Sequence, residues 1–506
     1  MASKIFIGDM PELMEKILNN VNDDKFYSLY PCALVSRHWC KMSIPILWRN
    51  PFLSYKSPLF LSQYLLSLDE NEKSVLKEYG INVKFQNTLF NYAKFLKILN
   101  LISLASRIYQ WINHRYFYWN QSYELLRCHI MNFLLKLFVE NGAIVHKLDL
   151  HFADDELQSE ILHLFGRNER FFSQLKELSL AGISGLSIKS ATALSEILAK
   201  NTTNISVLNI SEYYSGYGPQ LLHAIVCIIK SQVQLREFRL IGEENPKEFH
   251  GIISALESQK ESLEKVTIAY CDCNAEFKVL MNCKNLKILR IRYCNNVRIL
   301  ETCLNTLEIN SSLIYASSIV HILEKSGKLL QRLNLESDGG KICEESLLLR
   351  TLKSFCPNIT YLNISCVRFS TQFQDLICNL QKLQFLTLRH INDILAEELE
   401  EEEELKMRIM QFAKILPLTL QYLDLRYSGL SSYIDILLNN CYAPLKTLLI
   451  HHIDGKKTTK ALIKFCIRKR TLNYVSIDSV IDNIEEEVEG YFKVLPSHHI
   501  IAIASL

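Results

Sequence analysis

The chain has 506 residues, 48% apolar and 22% charged, with 56 Lys and Arg against 54 Asp and Glu. A net charge of +2 supplies no global field to hold nucleic acid or an anionic membrane surface. Sixteen Gly and 11 Pro are too few for a collagen-like or Gly/Pro-rich disordered chain, and no stretch approaches the roughly 18 uninterrupted apolar residues of a membrane span. The first expected elements are helical. Pro11 suits a first helical position, where its missing N–H costs nothing. Leu13, Met14, Ile17, Leu18 and Val21 then recur at three- and four-residue spacing and form one apolar stripe. Asp23 and Asp24 suit the start of a second short helix, and Pro31 marks the junction to a third, on which Leu34, Val35, His38 and Trp39 share a side. A helical module this short has too little core to bury all these side chains. A partner surface would cover the remainder, in the manner of a helix laid in a groove; the alternative is that the stripe packs on residues 53–144.

The run Met10-Pro11-Glu12-Leu13, then Ile17-Leu18, then Leu34-Val35-Ser36-Arg37-x-Trp39, resembles an F-box. Two departures stand out: Met10 where the family prefers Leu, an apolar swap, and a longer, Pro-containing approach from Phe26 to Pro31. F-boxes dock onto a Skp-family adaptor, which links them to a cullin–RING ubiquitin ligase. The resemblance therefore implies adaptor contacts at Met10, Pro11, Leu13, Ile17, Leu18, Val35 and Trp39.

After a mixed aromatic segment, one pattern recurs from Val145 onward: apolar-x-x-apolar-x-apolar. It reads V-H-K-L-D-L at 145, L-K-E-L-S-L at 175, I-S-V-L-N-I at 205 and L-R-E-F-R-L at 235, and runs through nine further copies to L-N-Y-V-S-I at 472. The thirteen copies repeat about every 27 residues, inside the range of leucine-rich repeats. The last three residues of each hexad alternate in the manner of a strand, and most intervals carry a helical apolar pattern such as Leu221, Leu222, Ile225 and Ile229. A strand and a helix per repeat stack into a parallel sheet on a concave face with helices on the convex face. The intervals 263–286 and 286–304 are short, at 23 and 18 residues, and leave little room for a helix. The interval 383–420 is long, at 37 residues, and carries an acidic run near 393–406 expected to extend a helix as a solvated face, the alternative being a recognition tail. The whole layout resembles fungal F-box proteins with leucine-rich repeats. The expected fold is α/β: a helical F-box over 1–52, a helical linker or cap over 53–144, and a solenoid of about 13 repeats over 145–506.

Side chains between the apolar anchors point out from the sheet. In the later repeats they include Tyr361, Phe385, Arg389, Tyr422, Arg426 and Tyr474. Aromatic and Arg side chains dominate binding hot spots, so this face is a candidate for capturing a protein, with Arg290, Arg292 and Arg332 favouring an acidic or phosphorylated one. The alternative is that exposed-strand tyrosines are good β-formers packing on each other.

Other chemistries find weaker support. Cys271, Cys273, Cys283 and Cys294 lack the paired spacing of zinc sites and read as structural. There is no G-x-S-x-G, H-E-x-x-H, G-x-G-x-x-G or Walker loop, and the pairs His451-His452 and His498-His499 would point to opposite faces of a strand. Arg107 to Trp119 interleaves aromatics with Arg and His as single-strand binders do, yet reads as buried bridging structure. The opening M-A-S-K-I-F-I-G-D-M-P-E has no apolar signal core. The expectation is thus a non-enzymatic, intracellular protein, cytoplasmic and/or nuclear, with no metal or cofactor and no nucleic-acid or membrane partner. As a substrate receptor of a Skp–cullin–F-box ligase it would hold a protein target near the conjugating enzyme; the alternative is a repeat scaffold not coupled to ubiquitination.

Overall fold

The computed structural model describes residues 11–21, 26–53, 57–82, 88–115, 122–151, 159–182, 188–213, 219–242, 251–297, 303–338, 341–391, 402–451, 455–477, 488 and 490–496. The chain divides into two compact units, Met1–Glu243 with Phe249–Leu263, and Glu244–Glu248 with Glu264–Leu506.

The first described elements of the first unit are three helices, α1 (Pro11–Val21), α2 (Phe26–Val35) and α3 (Arg37–Leu47). Pro31 lies inside α2, so it is not the junction its sequence position suggested. The break falls at Ser36, whose backbone is extended and whose Oγ accepts the Trp39 N–H at 3.2 Å. Capping of this kind satisfies an orphan donor of the first turn and fixes where a helix starts. Behind these helices come α4 (Leu61–Leu65), α5 (Glu70–Glu78), β1 (Ile98–Asn100), α6 (Leu101–Arg115) and α7 (Ser122–Glu140). An aromatic cluster joins the module to this segment: the Trp48 ring centroid lies 4.1 Å from Tyr92 and 5.1 Å from Tyr64, and Tyr64 lies 5.2 Å from Phe138. Arg107, Ile108, Trp111 and Ile112 are buried on α6, and Trp111 Nε1 donates to Ser62 Oγ at 3.0 Å. The aromatic-basic run is thus internal in part, with Tyr109 and His114 exposed; residues 116–119 lie outside the described residues.

The repeats of the first unit follow as β2 (Lys147–His151), α8 (Ser159–Arg167), α9 (Glu169–Phe172), β3 (Glu177–Ala181), α10 (Ile188–Asn201), β4 (Val207–Tyr213), α11 (Pro219–Ser231), β5 (Glu237–Gly242) and α12 (Ile252–Ala255). The strands β1 to β5 pair in parallel and in chain order. Register brings the first strand anchors Leu99, Leu148, Leu178, Leu208 and Phe238 into one buried row. The stack therefore starts at Ile98, inside the segment assigned to the linker, because Leu96-Lys97-Ile98-Leu99-Asn100-Leu101 is itself a hexad. Buried glutamines tie successive repeats: Gln232 Oε1 accepts the Ile205 N–H at 2.8 Å, and Gln259 Oε1 accepts the Leu235 N–H at 3.1 Å. Gly182 turns the chain out of β3 at φ +58, and a Cβ there would stand 2.4 Å from His151 Nε2.

The second unit contains β6 (Lys265–Ala269), β7 (Ile288–Arg292), β8 (Thr306–Ser311), β9 (Ile314–Tyr315), α13 (Val320–Ser326), β10 (Arg332–Ser337), β11 (Ile342–Cys343), α14 (Glu345–Phe355), β12 (Tyr361–Ser365), α15 (Thr371–Asn379) and β13 (Phe385–Arg389). It continues with α16 (Glu402–Ile415), β14 (Tyr422–Asp424), α17 (Ile434–Asn440), β15 (Thr447–Ile450), α18 (Gly455–Lys469), β16 (Tyr474–Ile477) and β17 (Lys493–Pro496). Apart from the short pair β9 and β11, these strands run parallel in chain order, stacking Val266, Leu289, Leu307, Leu333, Leu362, Leu386, Leu423, Leu448, Val475 and Val494. The fold is a leucine-rich-repeat α/β stack, and each of the thirteen hexads supplies a strand. In the 23-residue interval a short 3₁₀ helix, Ala275–Asn282, replaces the α-helix, as the missing length requires. Of the acidic insertion, α16 begins at Glu402, and residues 392–401 lie outside the described residues.

Candidate functional site

The three N-terminal helices sort their apolar residues onto two sides. Met14, Leu18, Leu29, Ala33, Ile46 and Leu47 form a shared core, against which Trp39 and Trp48 pack. The spacing explains α1: Met14 and Leu18 lie one turn apart on the inner side, while Leu13, Ile17 and Val21 follow each other by four residues along an adjacent stripe. That second stripe is open, with Leu13 and Ile17 each 41% exposed and Val21 38%. On α2, Tyr30, Leu34 and Val35 are 53%, 70% and 64% exposed. Among the described residues nothing closes over this stripe, and two helices of one small module present large apolar side chains.

Of the seven expected adaptor contacts, Leu13, Ile17 and Val35 are exposed. Leu18 is a correction: at 1% exposure it belongs to the module's own core and has no surface to offer a partner. Trp39 is half-buried on that core. Pro11 opens α1, and Met10 lies outside the described residues. Val21, Tyr30 and Leu34 belong to the open side but were absent from the expected contacts. The four-residue spacing of Leu13, Ile17 and Val21, and of Tyr30 and Leu34, is the signal that finds them.

The outward face of the sheet in the second unit is organised in rows across the strands. Register aligns Arg332, Tyr361, Phe385, Tyr422, Thr447 and Tyr474. The Arg332 guanidinium sits 3.7 Å over the Tyr361 ring, Tyr361 lies 6.2 Å from Phe385, and Phe385 lies 5.7 Å from Tyr422. Such ring and cation–π contacts each add about 0.5–1.5 kcal/mol. Tyr422 packs on Leu449 and is 3% exposed, and burial pushes the phenols of Tyr361 and Tyr422 above their ordinary value. Phe385, Arg389 and Tyr474 are half-buried.

Most charges of this face are answered within it. Arg290 makes a two-pronged pair with Glu308 at 2.7 and 3.2 Å, and Arg332 approaches the same carboxylate at 3.5 Å. Arg389 pairs with Glu336. Arg426 makes a buried two-pronged pair with Asp424 at 3.0 and 2.8 Å. The basic surface expected for an acidic target is reduced: Arg290 and Arg332 share the one carboxylate of Glu308, Arg292 is exposed, and Arg426 and Tyr422 are too buried to meet a partner first. Among the described residues no group of three or more His, Cys, Asp or Glu could hold a metal ion, and no helix is long and apolar enough to cross a membrane.

No family model matches the chain, and no curated protein matches it. Among solved structures, the complex of Rad7 and Elc1 in yeast is similar at 15% identity, with a TM-score of 0.40 over 72% of this chain and 83% of that one. The leucine-rich repeat-containing protein LegL7 from Legionella pneumophila is similar at 13% identity, with a TM-score of 0.21 over 71% of this chain and 87% of that one. The repeat fold rests on the strand register described above, and neither likeness assigns an activity.

Proposed function

We propose that the chain is a substrate receptor of a Skp–cullin–F-box type ubiquitin ligase. In this reading the open side of α1 and α2 docks a Skp-family adaptor, and the repeats capture a protein target. The observation that carries it is the apolar stripe Leu13, Ile17, Val21, Leu34 and Val35, exposed beside a core that is already closed. Its residues fall within the run that resembles an F-box. Covering these side chains removes apolar area from water, worth about 1 kcal/mol for each of these half-exposed residues, and helix edges of this kind fit a groove. Target capture belongs to Phe385, Arg389 and Tyr474, the partly accessible members of the sheet face. The receptor performs no chemistry; it raises the local concentration of a target lysine. One observation favours the scaffold alternative: Leu18 and part of Trp39, expected at the adaptor, are engaged internally.

The test is binding of the full chain to purified Skp-family adaptor. Ile17→Asp with Leu34→Asp places carboxylates in the docked surface and should cost about 3–5 kcal/mol, at least 100-fold in Kd, with the thermal melt unchanged. Adaptor binding that survives the double variant, or is absent from the natural chain, leaves the scaffold reading in its place.

A further inference from the structure

Cys271, Cys273 and Cys294 meet where β6 and β7 end. The register that pairs Lys265 with Ile288 and Ala269 with Arg292 extends past the strands, where Asp272 bridges Asn295. Cys271 and Cys294 therefore stand opposite each other on neighbouring chains of a parallel ladder. Neighbouring strands lie about 4.8 Å apart, inside the roughly 4.4–6.8 Å Cα separation that a disulfide spans. The Cys271 thiol donates to the Ala269 carbonyl at 3.2 Å, and the Cys294 thiol lies 3.3 Å from the Arg292 carbonyl and 3.7 Å from that of Ile268, so both sulfurs sit at the ends of the two strands. Cys271 and Cys273 are fully buried, whereas Cys294 is 9% exposed and forms part of the wall of a cavity of about 610 Å³, with Asn295, Asn310, Ser312 and Tyr315. A reactant the size of water reaches such a wall.

The three thiols are not equivalent. Hydrogen bonds from Cys271 and Cys273 hold the Cys294 thiol well below its ordinary value, while burial of Cys271, and the hydrogen bond of Cys273 to Cys294, push theirs up. Thiolate character and access together set which cysteine oxidises first.

We propose that Cys294 is a peroxide-reactive modification site and that Cys271 closes a disulfide with it. The Cys294 thiolate attacks one oxygen of hydrogen peroxide; the O–O bond breaks, hydroxide leaves and a sulfenic acid forms. The Cys271 thiol then attacks the sulfenic sulfur; the S–S bond forms, the S–O bond breaks, and water departs with the Cys271 proton. Peroxide is the two-electron oxidant throughout. The product links two consecutive repeats.

The full chain is treated with graded hydrogen peroxide, blocked with N-ethylmaleimide, digested with trypsin without reductant and mapped by mass spectrometry. Cys271 and Cys273 share the peptide 266–278, and Cys294 lies in 293–298. These two peptides should appear cross-linked, reversibly with dithiothreitol, before maleimide labelling is lost at the exposed Cys303 and Cys378. With Cys271 and Cys273 both changed to Ser, Cys294 should stop at a sulfenic acid that dimedone traps. Should that variant fail to fold, the map of the natural chain decides alone. Oxidation confined to Cys303 and Cys378, with Cys294 still labelled by maleimide after unfolding, overturns the proposal.

Discussion

The N-terminal helices and the sheet face of the second unit handle surface chemistry in opposite ways. On α1 and α2, large apolar side chains stand open beside a finished core. On the sheet face, rings lie on rings and each of Arg290, Arg332, Arg389 and Arg426 meets a carboxylate. Both regions carry the residue types found at interfaces. The difference lies in what remains unanswered: clustered apolar area on the helices, and on the sheet only the exposed Arg292 and the partly accessible Phe385, Arg389 and Tyr474. Hydrophobic residues at a surface mark a partner when they cluster, whereas an Arg already paired has less to gain from one.

The comparison breaks most sharply at Asp424. If the sheet face is closed on itself, Asp424→Ala leaves Arg426 buried without its carboxylate and should cost about 3–5 kcal/mol in urea unfolding. Replacing both, Asp424→Leu with Arg426→Met, should restore most of that. A loss of target binding with unchanged stability would instead mean that Asp424 and Arg426 meet the target directly. Next in size, Leu18→Ala should cost about 2–5 kcal/mol, while Ile17→Ala one residue away should cost less than about 1 kcal/mol. Equal costs would mean that both sides of α1 are internal.

Two smaller effects concern the segment behind the module. The Glu72 N–H and Lys136 hold the Asp69 carboxyl below its ordinary value. Its lowered value means the stabilisation is complete above the unfolded carboxyl's pKa and is lost as pH falls through the folded one. Melting temperature should therefore fall on acidification below about pH 4, and less steeply in Asp69→Asn. Burial pushes the Tyr64 phenol well above its ordinary value, and its hydroxyl is buried without a hydrogen-bond partner. A raised value keeps its contribution intact below the unfolded pKa, near about 10, and erodes it as pH rises beyond. Tyr64→Phe should change stability by less than about 1 kcal/mol, toward stabilisation, and flatten the alkaline limb of the melt.

Much of the fold could be read from spacing, because one physical demand recurs in every repeat: two buried anchors on a strand. The hexad at Leu96 carries the same signal, but the helical apolar patterns on either side of it hide it. The strand at Lys493 carries no such signal, since Pro496 stands where the second anchor should be. In the helical module, apolar spacing identified the stripe but could not separate Ile17 from Leu18, which differ by one step around α1 and by 40% in exposure. The sheet-face pairs were hidden for a different reason. Arg389 and Glu336 are 53 residues apart in sequence and meet because of register across strands, which no local pattern encodes.

The most direct measurement is amide hydrogen exchange on the full chain, with and without saturating Skp-family adaptor. The account predicts slowed exchange in peptides covering 11–21 and 30–35, with the sheet strands of the second unit unchanged. Slowed exchange on those strands while α1 and α2 stay as they were, or no change anywhere, would contradict it.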